Sequence, residues 1–471
     1  MNTIVLQQYG QHLPADTQTP IGLFGKLVGK RPGILLESAE VDGRLGRYSL
    51  LAWDFRLQLD CRQGRLSVRT SYQKQFSGLM DLEGEDYLPG LRQALDRLQI
   101  LPPEDLTDLP PITRALYGYF GYSMGGMLEP KLAQALPPEH AEAGLVLPGR
   151  TILFGHLYQR CLFLSLEKVG KPMPQKMGHN PYDAPTVGRI VAEPDKEGYC
   201  DAVRTVREMI NQGEAIQVVL STRFQAPYSG EPFTLYRRLR QLNPSPYMYF
   251  IRLPGMSIVG SSPELMVRCE KNVLEERPIA GTRPRGRDIA EDTALSEELL
   301  ADPKERAEHV MLVDLGRNDL GRIATPGSVS VQKFMQVERF SHVMHITSYL
   351  RADLRQGLDA LDVLQATFPA GTVSGAPKIR AMELIAELEG RNRGPYAGAV
   401  GWIGLDKDSV NLDTGITIRT LWIREGMIHW QAGAGIVSDS VPEKEWQECW
   451  NKARVLREIL TQEGGIDVFT H

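Results

Sequence analysis

The chain has 471 residues, 42% hydrophobic and 24% charged, and its 53 lysines and arginines against 58 aspartates and glutamates give a net charge of −5. This composition excludes an intrinsically disordered chain and argues against partners such as nucleic acid or an anionic membrane. At ~150 residues per domain the length suggests about three domains, or one large α/β body with a smaller lobe.

Five scattered cysteines, with no C-x-x-C pair, read as reduced thiols. No basic segment leads into an apolar core at the N-terminus, and no apolar run approaches the ~20 residues of a membrane span. A cytoplasmic protein is expected.

In chain order, Gly33–Glu37 is a buried-strand candidate, residues 101–112 form a proline-rich connection, and residues 151–166 are rich in β-formers. Residues 170–189, dense in proline and glycine, read as a linker or long surface loop. Tyr199, Val203, Val206 and Ile210 then share one helical face, with Gly213 as the C-terminal cap, and residues 215–224 follow as a strand. Two later helices are announced by capping boxes, one from Asp302 to Glu305 and one from Ser440 to Glu443. Between them lie glycine-punctuated β segments at 396–405, 413–424 and 427–437. The expected fold class is α+β, with antiparallel β-sheets packed as a sandwich and flanked by helices.

Glu305 and Glu308 stand i,i+3 on one predicted helix, and Glu445 and Glu448 repeat that spacing on another, with Lys452 one turn further on. Two such helices could clamp a hard cation such as Mg²⁺ from opposite sides. The same spacing also suits a solvated face with an i,i+4 ion pair. Arg419 falls in an alternating segment, Ile416 to Arg419, whose polar face suits bidentate recognition of a carboxylate, or simply solvent. The glycine-rich strand at 431–438 suggests close approach of backbone to a ligand, or a bulge. The small-residue loop at 370–378 feeds a helix whose free amides could hold an anion, although it is no P-loop. His345 sits in an apolar, β-branched segment with Ser341, Thr347 and Ser348 as candidate partners. It is expected to titrate near neutrality, as an acid/base group or as a satisfied core histidine. No nucleophile elbow or Cys/His amidotransferase pattern is visible.

The strings GEAIQVVLS (213–221), PIAGTRPRG (278–286), ERAEHVMLVDLGRNDL (305–320), VMHITS (343–348), GTVSGAPK (371–378), TIRT (417–420), GAGIVS (433–438) and EWQECWNKA (445–453) occur in one order. In that order they resemble the chorismate-utilising enzymes, in particular the anthranilate synthase large-subunit group (component I). The resemblance implies a catalytic domain at 195–460, after an N-terminal regulatory region at 1–170 and a linker at 171–194, with a C-terminal tail at 461–471. It further implies chorismate bound over Mg²⁺, with Glu308 and Glu448 as ligands and Glu305 and Glu445 acting beside them or through water. Gly281, Thr282, Tyr396, Arg419, Lys452 and the backbone of Gly433, Ala434 and Gly435 would contact chorismate, and His345 would transfer a proton.

Two positions sort the chain within that family. Isochorismate-forming relatives carry lysine at the position of Gln217, and aminodeoxychorismate synthases carry it at Ala280, so the resemblance favours direct addition of ammonia and release of anthranilate. Aminodeoxychorismate synthase component I, and a catalytically silent tryptophan-binding protein, stay open as alternatives. Ser38 and Pro246, Tyr247 and Met248 match the family's two tryptophan-binding segments and imply feedback inhibition. With no amidotransferase motif in the chain, the resemblance implies a separate glutamine amidotransferase small subunit, in a heterotetramer.

Overall fold

A computed structural model of the chain describes residues 3–14, 17–39, 48–106, 108–157, 160–170, 185–340 and 343–461. Most of the expected 171–194 linker and nearly all of the 461–471 tail lie outside these residues. The described end of the linker is structured: Thr186–Val187 and Val191–Glu193 pair with the strand Gln217–Ser229.

The strands form one large connected antiparallel network plus a parallel pair, Ile4–Gln7 with Leu98–Leu101. The N-terminal residues are built into the same sheets as the C-terminal ones. Gly33–Glu37 pairs with Tyr247–Leu253, and Ala115–Phe120 with Ala399–Gly404. Helices flank these sheets, so the chain adopts the expected α+β class.

Strand alternation explains why several strands read as unbroken apolar runs. In Gly33–Glu37 and Tyr247–Leu253, Ile34, Tyr249 and Ile251 enter one apolar cluster. Leu35, Met248 and Phe250 enter another, which also takes Phe24, Leu239 and Leu456 from three helices. Both faces are covered, so both sets of side chains are apolar.

The strand Gln217–Ser229 positions the site. Along Val218 to Pro227 it pairs with Met427–Ile436, and its start pairs with Gly375–Ala376. The junction is pinned by Arg393, whose guanidinium bonds Glu389 at 2.6 Å and the carbonyls of Val219 and Val373 at 2.7 and 2.9 Å. All five cysteines are buried and unpaired. Among the described residues no helix is long and apolar enough to cross a membrane.

Candidate active site

One wall is the start of the helix Pro303–Gly321. Asp302 caps it, its carboxylate accepting the amides of Lys304 and Glu305 at 2.9 and 3.3 Å. The reciprocal half of the expected capping box does not form. The amide of Asp302 donates to Glu298 of the preceding helix, and the Glu305 carboxylate pairs instead with Arg283 at 3.2 Å. Glu308, one turn on, accepts from Gln217 Nε2 at 3.4 Å. Gly281 reaches the same face with φ +66°, and a Cβ there would lie 3.1 Å from Glu305 and 2.9 Å from Leu299. A left-handed residue in that space must be glycine.

The facing wall is the helix Pro442–Lys452. Ser440 does not cap it as expected: Val441 takes the N-cap position and offers no side-chain bond. The proline at the first helical position moves the start by one residue, and Ser440 bonds the Val437 amide and the Glu445 carboxylate instead. Glu448 pairs with Lys452 at 2.6 Å, the i,i+4 contact expected of a solvated helix face, but Lys452 also donates to the carbonyl of Gly433 at 3.1 Å. That second bond ties the helix to the glycine strand.

The two acidic helices therefore meet. Burial raises the Glu308 carboxyl, the charges of Glu305 and Glu448 raise it further, and Gln217 and Lys452 oppose them. Glu445 is likewise raised by burial and by Glu448. Carboxylates that discourage one another's ionisation across two helices form an oxygen donor set that a hard divalent cation would relieve. Among the described residues no three acidic, histidine or cysteine side chains form a complete metal cage. Two carboxylates plus water and an anionic ligand are the mode open to this site.

Arg419 lies on a bend, not in a strand. The strands end at Ile416 and resume at Thr420, and Arg419 adopts φ +51°. The alternation expected at 416–419 breaks because the Thr417 amide turns to Gly398 and the Ile418 amide to Ile416. Among the described residues no side chain is paired with its half-buried guanidinium, which senses Tyr396, Glu264 and Glu448. Beside it, Thr420–Arg424 pairs with the glycine strand only as far as Trp430. Beyond that point, among the described residues, no strand pairs with Gly433, Ala434 and Gly435 on the side away from Gln217–Ser229. A Cβ on Gly433 would sit 2.6 Å from the carbonyl of Leu220 and 2.9 Å from the Tyr396 hydroxyl, so this position also admits only glycine.

His345 finds other partners than those expected. Thr347 bonds Gln336 and Ser348 bonds His309, while Ser341 lies outside the described residues. His345 Nδ1 instead lies 2.8 Å from the Gly281 carbonyl and 3.1 Å from Thr282 Oγ1. The carbonyl can only accept, so Nδ1 carries the proton and Nε2 keeps a free lone pair. Burial pulls its pKa below the ordinary histidine value, and Arg419 and Arg277 add to this, so the ring is neutral at pH 7 rather than half-titrated.

Glu264 is absent from the sequence reading. It follows Pro263 where one buried strand, Met256–Ser262, gives way to another, Leu265–Glu270. Burial pushes its carboxyl up to about 7, although Lys452 and Arg419 stand near enough to pull it down. A lone glutamate beside a strand-breaking proline, inside an otherwise apolar and small-residue run, was the available signal.

The two expected tryptophan segments are neighbours. Gly33–Glu37 lies against Tyr247–Leu253 with Glu37 opposite Met248, and the Ala39 amide bonds the Ser245 carbonyl at 3.1 Å. Their side chains divide between the faces of the sheet. Met248 is buried against the helical layer, whereas Tyr247 turns to Asp413 at 2.7 Å. The half-buried Ser38 and the buried Pro246 close the strand ends.

Residues 53–458 match the family of chorismate binding enzymes, and the chain belongs to it. Among curated relatives it is 43% identical to anthranilate synthase component 1 of Aquifex aeolicus, covering 95% of this chain and 93% of that one. It is 38% identical to the Acinetobacter calcoaceticus protein of the same name, covering 99% and 97%. The crystal structure of anthranilate synthase component I from Streptococcus pneumoniae superposes with a TM-score of 0.73 at 31% identity, covering 94% and 98%.

Proposed function

We propose that the chain is the chorismate-converting component of an anthranilate synthase, making anthranilate and pyruvate from chorismate and ammonia. The observation that carries this reading is the convergence of Glu308 and Glu448 near Arg419, whose guanidinium has no side-chain partner among the described residues. Chorismate is a dianion, and the site offers a cation position at one end and a guanidinium with open strand amides at the other. Mg²⁺ held by Glu308 and Glu448 would neutralise the ring carboxylate and draw electron density toward C1.

The chain's own residues supply the proton traffic. Ammonia attacks C2, the ring double bonds shift, and the C4 hydroxyl departs as water with a proton from Glu264, while the proton shed by the new C2 ammonium restores the acid through solvent. The carboxyl of Glu264, raised to about 7, keeps that proton in about half of the molecules at pH 7 and so can serve as an acid there. His345, neutral and with Nε2 free, then removes the C2 proton while the C3–O bond breaks, and enolpyruvate leaves as the ring becomes aromatic. Gln217 holds Glu308 and cannot act as a base toward water, and the buried Ala280 offers no amine to attack the ring. Both features favour ammonia as the nucleophile.

The relatives' name, component 1, supports a partner component, here a glutamine amidotransferase subunit in a heterotetramer. The adjacency of Ser38 and Pro246, Tyr247 and Met248 supports a tryptophan site. The test is to incubate the purified chain with chorismate, Mg²⁺ and ammonium and identify the product by fluorescence and mass. Anthranilate is expected, and E308Q or E448Q should abolish Mg²⁺-dependent turnover while the fold survives. A different aromatic product, or full activity in either variant, overturns the reading.

A further inference from the structure

Behind Glu264 lies a cavity of about 40 Å³, bounded by Glu276, Asp319, Gly316 and Thr372. A site for one water-sized molecule needs roughly 10–15 Å³, so this space holds a small polar species with ease. Its open polar atoms are unusual. Glu276 is 8% exposed, and its Oε1 is buried with no hydrogen-bond partner. Thr372 Oγ1, beside the Glu264 carboxyl, is buried and likewise without a well-formed bond. Buried polar atoms without partners are rare in folded proteins and point to a ligand or to trapped water.

The surrounding charges select the kind of ligand. Asp319 is neutralised by Lys378 at 2.5 Å, and Arg277 by Glu338. Burial, and then the nearby Asp319 charge, hold the Glu276 carboxyl well above the ordinary carboxylate range against the pull of Lys378, so a cation placed on its open Oε1 would stabilise the ionised form. Gly316 makes the room, since a Cβ there would lie 2.6 Å from Glu276 Oε2. A divalent ion would need about six oxygen ligands and would sit against the Lys378 ammonium. A monovalent species that only donates hydrogen bonds matches acceptors at Glu276, Thr372 and Glu264.

We propose that this cavity binds ammonium, held by Glu276, and delivers the nitrogen nucleophile past Glu264 to the chorismate site. The proposal rests on the function assigned above and names where its second substrate waits. On release, one N–H proton passes to the Glu276 carboxylate and neutral ammonia moves on. The nitrogen lone pair is then free to form the bond to C2, and Glu276 returns its proton to solvent before the next cycle.

The test uses the full chain with ammonium chloride as nitrogen source and E276Q as the variant. The KM for ammonium should rise about tenfold, the worth of one charged hydrogen bond, while the KM for chorismate holds. Potassium, close to ammonium in size, should compete with it in the wild type and not in E276Q. A second readout needs no turnover: ammonium chloride should raise the wild-type Tm more than sodium chloride does, and E276Q should lose the difference. Should E276Q fold poorly, G316A, which crowds the same carboxylate, is expected to raise the ammonium KM in the same direction. An unchanged ammonium KM in an active E276Q, with no ammonium-specific Tm shift in the wild type, overturns the proposal and leaves a water-filled cavity. A wild type that makes no anthranilate yet shows the Tm shift defeats the functional reading and keeps the binding site.

Discussion

Two carboxylates largely withdrawn from solvent behave in opposite ways. Glu389, its side chain 3% exposed, receives two guanidinium bonds from Arg393 at 2.6 and 2.9 Å and two from Ser221, amide and hydroxyl, at 2.9 and 2.6 Å. Its pKa is held below the ordinary value although burial alone would raise it. Glu264 has Thr372 beside its carboxyl and two cations in its neighbourhood but no guanidinium bond, and burial carries it to about 7. Partners, not depth, decide which carboxylate stays ionised. A satisfied buried charge fixes architecture, and an unsatisfied one is available for chemistry.

The strongest way to break this contrast is E264Q. The amide resembles the protonated carboxyl in shape but gives no proton to a leaving hydroxyl. Turnover should fall by about 10²–10⁴ with the urea midpoint of unfolding nearly unchanged. Wild-type turnover in E264Q would remove Glu264 from the mechanism and the contrast with it.

The complementary variant is R393M, which strands Glu389 without its partner. Stability should drop by about 3–5 kcal/mol in denaturant titration, because an uncompensated buried charge remains. The double variant R393M/E389Q should recover part of that loss. A drop under about 1 kcal/mol would show the pair to be ornamental rather than structural.

The same contrast explains what the sequence made legible. Local signals were sufficient where one short segment sets the outcome: the strand Gly33–Glu37, the helix beginning after Asp302, and the glycine cap at Gly213. They were insufficient where a distant partner captured a side chain. Glu305 left its capping box for Arg283, Ser440 left the helix start for Glu445, and His345 turned to Gly281 across the sheet. The bend at Arg419 depends on Gly398, some twenty positions away, receiving the Thr417 amide. Spacing placed the two glutamate pairs on helix faces but could not show the helices facing each other. Glu264 escaped because a single glutamate in an apolar run has no spacing to betray it.

The pH profile sharpens the contrast more gently. Glu264 must be protonated to act as an acid, so kcat at saturating ammonium should fall about tenfold per pH unit above about 7. His345 must be neutral to act as a base, and burial lowers its pKa. The acidic limb should therefore lie below the ordinary histidine range. In E264Q the alkaline limb should vanish while the acidic limb remains, and an alkaline limb that persists would assign it to another group.

The smallest expected effect concerns the proposed tryptophan site, where Gly33–Glu37 meets Tyr247–Leu253. There Glu37 is satisfied in the manner of Glu389, taking Tyr236 at 2.6 Å and Arg240 at 3.1 Å, so packing rather than an idle charge should govern any ligand. Met248 supplies that packing, buried between Leu35 and Phe250 and opposite Glu37 in register. Replacing it with threonine removes apolar volume and puts a hydroxyl in its place, worth about 1–2 kcal/mol of contact. M248T should raise the tryptophan concentration for half-inhibition by about five- to tenfold, read as the ratio of rates with and without tryptophan. Equal inhibition of M248T and the wild type would mean that these two strands meet for structural reasons alone, and that any regulatory ligand binds elsewhere.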